Sequence, residues 1–243
     1  MTLRPGRLVI VSPHLDDAVL SAFALLTAAR EATVITVFAG IPDVTAAPAD
    51  WDRVTRSGAP AERVVARRLE DRRVLGSLGV RAVHLDFPDQ PYRSHDPRPS
   101  EVAAAIAAVL PEHDTLVVAA AIGGHGDHDL ARDGGLQIRT AGVRFAMADL
   151  PYAAALGWPS FVTGRPDPAY LDPAAAWQSA LDRLALAAGR RPDLVVQRLT
   201  PALGRAKVAA IRGYATQFGV LEAGPSRALT HPQRLGFEVA WGL

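Results

Sequence analysis

Two short segments carry side chains whose types and spacing could do chemistry. Ser12-Pro13-His14-Leu15-Asp16-Asp17 places an imidazole three residues ahead of a carboxylate, with a second carboxylate in between. Gly123-Gly124-His125-Gly126-Asp127-His128-Asp129 offers a related His-x-Asp-His pattern. On the turn entering a helix, His14 and Asp17 have the spacing to face one cavity. A third ligand from the other segment would complete a facial set of two imidazoles and one carboxylate, with positions left open for water and substrate. Such a metal lowers the pKa of a bound water to about 7, and the adjacent Asp16 could take the proton. Each segment alone also has a plainer reading. Asp16 and Asp17 suit a helix start through capping and the dipole, and His14 suits a satisfied loop histidine. The two clusters together favour the metal.

The surrounding elements must bring these segments together. Arg7–Ser12, Thr33–Phe38, Arg81–Asp86 and Thr115–Ala121 are short β-branched or apolar runs that read as buried strands. Helices are expected at Asp17–Arg30, at Pro60–Leu78 with Gly79 as stop signal, and at Ser100–Leu110 with Ser100 as N-cap. Further on, helices are expected at Asp129–Arg139, Pro173–Ala188 and Pro201–Phe218, and strands at Val143–Ala148, Ser160–Thr163 and Asp193–Leu199. Buried strands alternating with helices predict an α/β fold, a Rossmann-like three-layer sandwich around a mostly parallel sheet. Ligands of such sheets bind beyond the carboxyl ends of the strands, where strand order reverses. Both His/Asp segments follow strands, so both are expected at that crevice. One domain over residues 1–243 is expected, with loop insertions at about 40–59 and 151–173.

Composition narrows the chemistry further. The 243 residues include no cysteine, which excludes a thiol nucleophile, disulfides and cysteine-held zinc. Any metal is therefore held by nitrogen and oxygen. Basic and acidic residues number 26 and 25, a net charge of +1, so no nucleic-acid or anionic-membrane partner is expected. No apolar run reaches the ~18–20 residues that span a bilayer, and the N-terminus has no signal-peptide pattern, so a cytoplasmic protein is expected. Every basic residue except Lys207 is arginine, and with the abundant alanine this hints at a high-GC bacterial gene.

The two motifs, Pro13-His14-Leu15-Asp16-Asp17 and His125-Gly126-Asp127-His128, resemble the paired signatures of the PIG-L/LmbE-like zinc-dependent N-deacetylases. Weaker likenesses extend over most of the chain: Arg67 and Glu70 ahead of Leu78-Gly79, then Phe87-Pro88-Asp89, then Lys207…Tyr214…Gln217 with Thr216 in place of the usual serine. The resemblance implies a Rossmann-like fold and removal of an acyl group, usually acetyl, from an amino-sugar-containing small molecule. Members of the family serve thiol, GPI-anchor and antibiotic biosynthesis. It also implies one zinc, or another divalent metal, on His14, Asp17 and His128, with Asp16 as general base. His125 would act as an imidazolium that stabilises the oxyanion and protonates the leaving amine.

Other residues have weaker signals. Asp127 reads equally as orienting an imidazole or as a turn residue. Arg67 is a candidate for substrate binding, though a helix-surface pair with Glu70 is the simpler reading. Asp89 either meets a sugar hydroxyl or starts the turn Pro88–Pro91. Trp51 and Tyr152 are candidate pocket walls, with core packing as the alternative. His84, His95, His113 and His231 read as structural or surface residues, and Lys207 with Glu238 as a candidate ion pair. Competing functions are an amidase on a longer acyl or thiol-conjugate substrate, a non-catalytic Rossmann-like binding module, and a degenerate regulatory member. The absence of Gly-x-Gly-x-x-Gly after the first strand counts against nucleotide binding. A homo-oligomer stays open.

Overall fold

The structure, a computed structural model, describes residues 4–55, 58–165, 173–223, 230 and 235–243. The first strand, β1 (Arg7–Ser12), is buried along nearly its whole length and pairs in parallel with β2 (Glu31–Thr36). The sheet continues through β3 (Arg81–His84), parallel to β2, and through β4 (Thr115–Ala119), parallel to β1 on its other side. Next comes β5 (Val143–Met147), parallel to β4, and then β6 (Asp193–Arg198) and β7 (Phe237–Gly242). The antiparallel β7 lies between β5 and β6, giving the order β3-β2-β1-β4-β5-β7-β6.

Helices cover both faces. α1 (Asp17–Ala28), α2 (Asp50–Val54), α3 (Pro60–Ser77), α4 (Pro99–Val109) and α5 (Gly126–Leu136) precede β5. α6 (Tyr152–Leu156), α7 (Ser160–Thr163), α8 (Ala174–Ala188), α9 (Pro201–Ile211) and α10 (Ala215–Ala223) follow it. Right-handed crossovers put α1 and α3 on one face and α4 and α5 on the other. Accordingly α1 packs on α9, α3 on α10, and α4 on α5. This is the expected α/β arrangement, with strand order reversing between β1 and β4. Close layering there depends on Gly135 of α5: a Cβ on it would sit 2.6 Å from Val118 Cγ1 of β4. Glycine inside a helix costs ~1 kcal/mol against alanine, and here it lets the helix that starts at the second His/Asp motif lie on the strand before it.

Several elements differ from the sequence expectation. Ser160–Thr163 is a turn of helix, not a strand, bounded by Pro159 and by Gly164 in the left-handed region. The helix expected over Pro201–Phe218 breaks at Gly213, where a Cβ would meet Val74 Cγ2 of α3 at 2.5 Å. Ser100 lies inside α4, one residue after Pro99, and Arg98 takes the cap position, where Glu101 Oε2 accepts the Arg98 N–H (2.7 Å). Helix α5 starts at Gly126, ahead of the expected Asp129, so Asp127 and His128 belong to its first turn. Strand β7 lies beyond Pro201–Phe218, the last element expected from the sequence. Within the two loops expected at 40–59 and 151–173 lie α2, α6 and α7; residues 166–172, and His231, fall outside the described residues.

Candidate metal and catalytic site

β1 delivers the first motif. At its end Ser12 Oγ donates to the His14 carbonyl (2.8 Å), and the His14 N–H donates to Asp17 Oδ2 (2.9 Å). Asp16 occupies the cap position of α1, yet its side chain caps no helix N–H. The expected capping bond is thus absent, and the carboxylate lines a cleft with His14 and Asp17.

β4 delivers the second motif through a strained corner. Ala121 has φ of 61°, a conformation that costs a residue with a Cβ of order 1–3 kcal/mol. Gly123 (φ 106°) then brings the backbone so close to Tyr152 that a Cβ would meet the tyrosine Cβ at 2.7 Å. The bulk absent at Gly123 is thus supplied by Tyr152, whose ring packs on His125 (5.8 Å) and edge-on to His128 (5.0 Å). His125 caps α5: its Nδ1 accepts the Asp127 N–H (3.2 Å). That contact assigns the ring hydrogen of neutral His125 to Nε2.

The motifs converge. Ligand atoms of His14, Asp17 and His128 lie within 4.8 Å of one another. His14 Nδ1 is 3.4 Å and His128 Nε2 3.3 Å from Asp17 Oδ2. The outer nitrogen of each imidazole meets a carboxylate: His14 Nε2 is 3.1 Å from Asp127 Oδ2, and His128 Nδ1 is 2.7 Å from Asp149 Oδ1. This leaves Nδ1 of His14 and Nε2 of His128 as the inward-facing nitrogens. His128 Nε2 is buried with no hydrogen-bond partner, a cost unless something binds there. Two imidazoles and a carboxylate fit zinc or a similar divalent cation. His14, His125 and Asp127 form a second, overlapping group of metal-binding type, but Asp127 there is already paired with Arg93.

Electrostatics sort the acids. Burial and the neighbouring Asp17 push the Asp16 carboxyl up to about 6, against the pull of Arg67 and His14. Burial also opposes charge on Asp17, but His128 and His14 outweigh it and hold that carboxyl at about 2. Asp89, 3.6 Å from His14 Nε2, is held below the usual carboxylate range because His14 outweighs its burial. In His14, Asp89, Asp127 and Asp17 overcome burial and favour the imidazolium; Asp17 and Asp149 do the same for His128. The site thus attracts positive charge. His125 goes the other way, since burial and then the charges on His14 and His128 favour its neutral form.

The cleft measures about 300 Å³ and extends from these residues to Arg67, Asp89, Tyr152 and Trp51. Arg67 lies in it rather than pairing with Glu70, whose carboxylate instead takes the Thr216 N–H and hydroxyl. Asp89 starts the expected turn, its carbonyl accepting the Tyr92 N–H, and its carboxylate faces His14 in the cleft. The Trp51 indole N–H donates to Gln217 Oε1 (2.7 Å), which hangs the indole over the cleft. His84 is held by Asp71 (2.7 Å), and Lys207 pairs with Glu238 in the core (2.7 Å). Sequence reasoning missed Asp149 and Arg93. For Asp149 a signal existed, a lone carboxylate just past the end of β5; Arg93, in a loop of mixed polarity, offered none.

A family model described as GlcNAc-PI de-N-acetylase (PIG-L) matches residues 9–138, which span both motifs. Over 146 residues the chain is 36% identical to a 2'-N-acetylparomamine deacetylase of Streptomyces fradiae; the match covers 52% of this chain and 50% of that protein, so the chain spans about half the length of this curated relative. The structure is similar to that of the A40926 pseudoaglycone deacetylase (27% identity, TM-score 0.73, covering 99% of this chain and 97% of that one). It is also similar to a zinc-inhibited form of teicoplanin deacetylase (25% identity, TM-score 0.70, covering 97% of each).

Proposed function

Because the chain belongs to the PIG-L family, we propose that it is a zinc-dependent hydrolase that removes an N-acetyl or similar N-acyl group from an amino-sugar-containing small molecule. The observation that carries the proposal is the convergence of His14 Nδ1, His128 Nε2 and Asp17 Oδ2 on one point, with the uncommitted Asp16 carboxylate beside them. The deacetylases named above, one acting on acetylparomamine and others on glycopeptide antibiotics, support a glycosylated natural product or its precursor as substrate.

Zinc on His14, Asp17 and His128 would supply Lewis-acid activation of water and of the amide carbonyl. Asp16 takes a proton from the attacking water as the new C–O bond forms; a carboxyl titrating at about 6 is ionised at neutral pH yet basic enough to accept it. His125 donates from Nε2 to the amide oxygen as negative charge builds there. Its cap bond and its depressed proton affinity support this neutral form over the imidazolium that the family resemblance implies. When the C–N bond breaks, Asp16 returns its proton to the departing amine. Arg67, Asp89 and the Trp51 indole, which line the cleft, would bind the sugar, and Tyr152 packs against the two histidines.

The test measures metal content of the purified protein and release of primary amine from a panel of N-acetylated amino sugars and glycosides. One equivalent of zinc, with amine release abolished by His14→Ala and by Asp16→Asn, is expected. No bound divalent ion, or activity unchanged in either variant, overturns the proposal.

A further inference from the structure

We propose that Arg93 is a positioning residue of the metal site, acting through Asp127 on His14. The inference rests on the metal reading above and names a residue outside both His/Asp motifs. Arg93 lies just past the short 3-10 turn at Gln90–Tyr92, with its side chain only 7% exposed. A guanidinium removed from water must be met by fixed partners. Arg93 has them on every side. Its Nη2 lies 2.6 Å from Asp127 Oδ1 in an ion pair and, together with Nε, donates to Asp96 Oδ1 (2.6 and 2.9 Å); Nη1 donates to the Pro88 carbonyl (3.2 Å), and the guanidinium covers the Phe38 ring at 4.9 Å.

Asp127 is fully buried, and its Oδ1, which has no hydrogen-bond partner among the described residues, is met by charge through the ion pair with Arg93. The other oxygen accepts the Gln90 N–H (3.2 Å) and faces His14 Nε2 (3.1 Å). The Gln90 N–H on one oxygen and the Arg93 charge on the other together hold the carboxylate in place. A carboxylate oxygen accepts, so His14 donates from Nε2 and turns Nδ1, the atom that faces Asp17, toward the place where zinc would bind. A carboxylate free to turn would leave both the ring angle and the tautomer of His14 unset. Arg93 also fills the charge demand of the group formed by His14, His125 and Asp127, which keeps that face of His14 from taking a second cation.

The experiment titrates zinc against a chromophoric chelator in the wild type, Arg93→Gln, Arg93→Lys, Asp127→Asn and the double variant Arg93→Gln/Asp127→Asn, with near-ultraviolet circular dichroism to verify folding. Arg93→Gln and Asp127→Asn should each weaken zinc binding about 10- to 100-fold. The double variant should lose little more than either single one, because both break one chain of contacts. Arg93→Lys keeps the charge but cannot reach Asp127 and the Pro88 carbonyl together, and should fall in between. Asp96→Asn, at the exposed partner, should stay within about twofold of wild type. Additive losses, or a folded Arg93→Gln that binds zinc as wild type does, overturn the role of Arg93 alone. Should Arg93→Gln fail to fold, Arg93→Lys binding zinc as wild type does would overturn it. A wild type that takes up no divalent ion overturns the metal reading and this inference together.

Discussion

Asp149 Oδ1 lies 2.7 Å from His128 Nδ1, and the opposite nitrogen of the same ring faces Asp17 Oδ2 at 3.3 Å. One carboxylate therefore sets the orientation of the imidazole, and the other faces its inward nitrogen across the place where a cation would sit. Asp149 is itself fixed, since its second oxygen accepts the Ile122 N–H (2.9 Å) at the corner leaving β4. Asp149→Ala should weaken zinc binding about 10- to 100-fold, as loss of an outer partner does at other metal sites. It should also cost about 1–3 kcal/mol of stability for the orphaned Ile122 N–H. Chelator competition and urea unfolding measure the two effects; zinc affinity at the wild-type level would show that His128 needs no such support.

Asp16 ties activity and stability to pH in opposite senses. As a base it must be ionised, so amine release should rise with pH through a limb near or below 6, because a bound cation pulls its affinity for protons down further. For folding the sign is reversed. The folded-state value, about 6, lies above the ordinary 3.8, so burial of this carboxyl is tolerated below the unfolded value and costs stability as pH rises through the folded one. In the metal-free protein Asp16→Asn should therefore raise stability at pH 8 by up to about 3 kcal/mol and change it little at pH 3, while lowering turnover of the loaded protein ~10²–10⁴-fold. Thermal melts at the two pH values and a pH–rate profile check both halves.

The parallel half of the fold could be read from the chain because β1, β2 and β4 are buried on both faces and appear as short β-branched runs. The rule that ligands sit past the carboxyl ends of such strands then located His14 and His128 together. Ser160–Thr163 misled because four apolar residues do not distinguish a strand from one turn of helix. Gly213 was visible, but only the proximity of Val74 explains why the chain turns there, sending Tyr214 to Asp71 and Gln217 towards Trp51. Asp149 showed only as a carboxylate past a strand end, and Arg93 not at all, because each reaches its partner across the fold, Asp149 by 21 positions and Arg93 by 34. Spacing along the chain holds no trace of such contacts.

Trp51 should govern binding more than turnover. Its indole is braced by Gln217, Gln217 Nε2 donates to Thr216 Oγ1 (3.2 Å), and Thr216 is held by Glu70, so the ring is ordered before any substrate arrives. An ordered aromatic face presented to a sugar adds affinity without the entropy of arranging it. Trp51→Ala should raise KM about tenfold for a glycoside substrate with kcat changed less than about twofold, and Trp51→Phe should retain most of the affinity. An acyclic N-acetyl amine should be insensitive to both. A fall in kcat with KM unchanged would place Trp51 in the chemistry instead.

Lys207 and Glu238 make a stability prediction that leaves the site untouched. Lys207 is fully buried on α9, its ammonium 2.7 Å from Glu238 Oε1 on β7, and Glu238 Oε2 accepts the Ala24 N–H of α1 (2.9 Å). The pair thus joins the C-terminal strand to the helix that starts at Asp17. Replacing one partner strands a charge in the core, which costs about 3–5 kcal/mol, whereas replacing both by apolar groups of similar volume is often neutral. Lys207→Met should therefore unfold at clearly lower urea, and Lys207→Met/Glu238→Leu should recover much of the loss, short of the hydrogen bond to Ala24. Zinc binding by the folded fraction should be unchanged in both. A single variant as stable as wild type would mean that water reaches Glu238 in the folded protein.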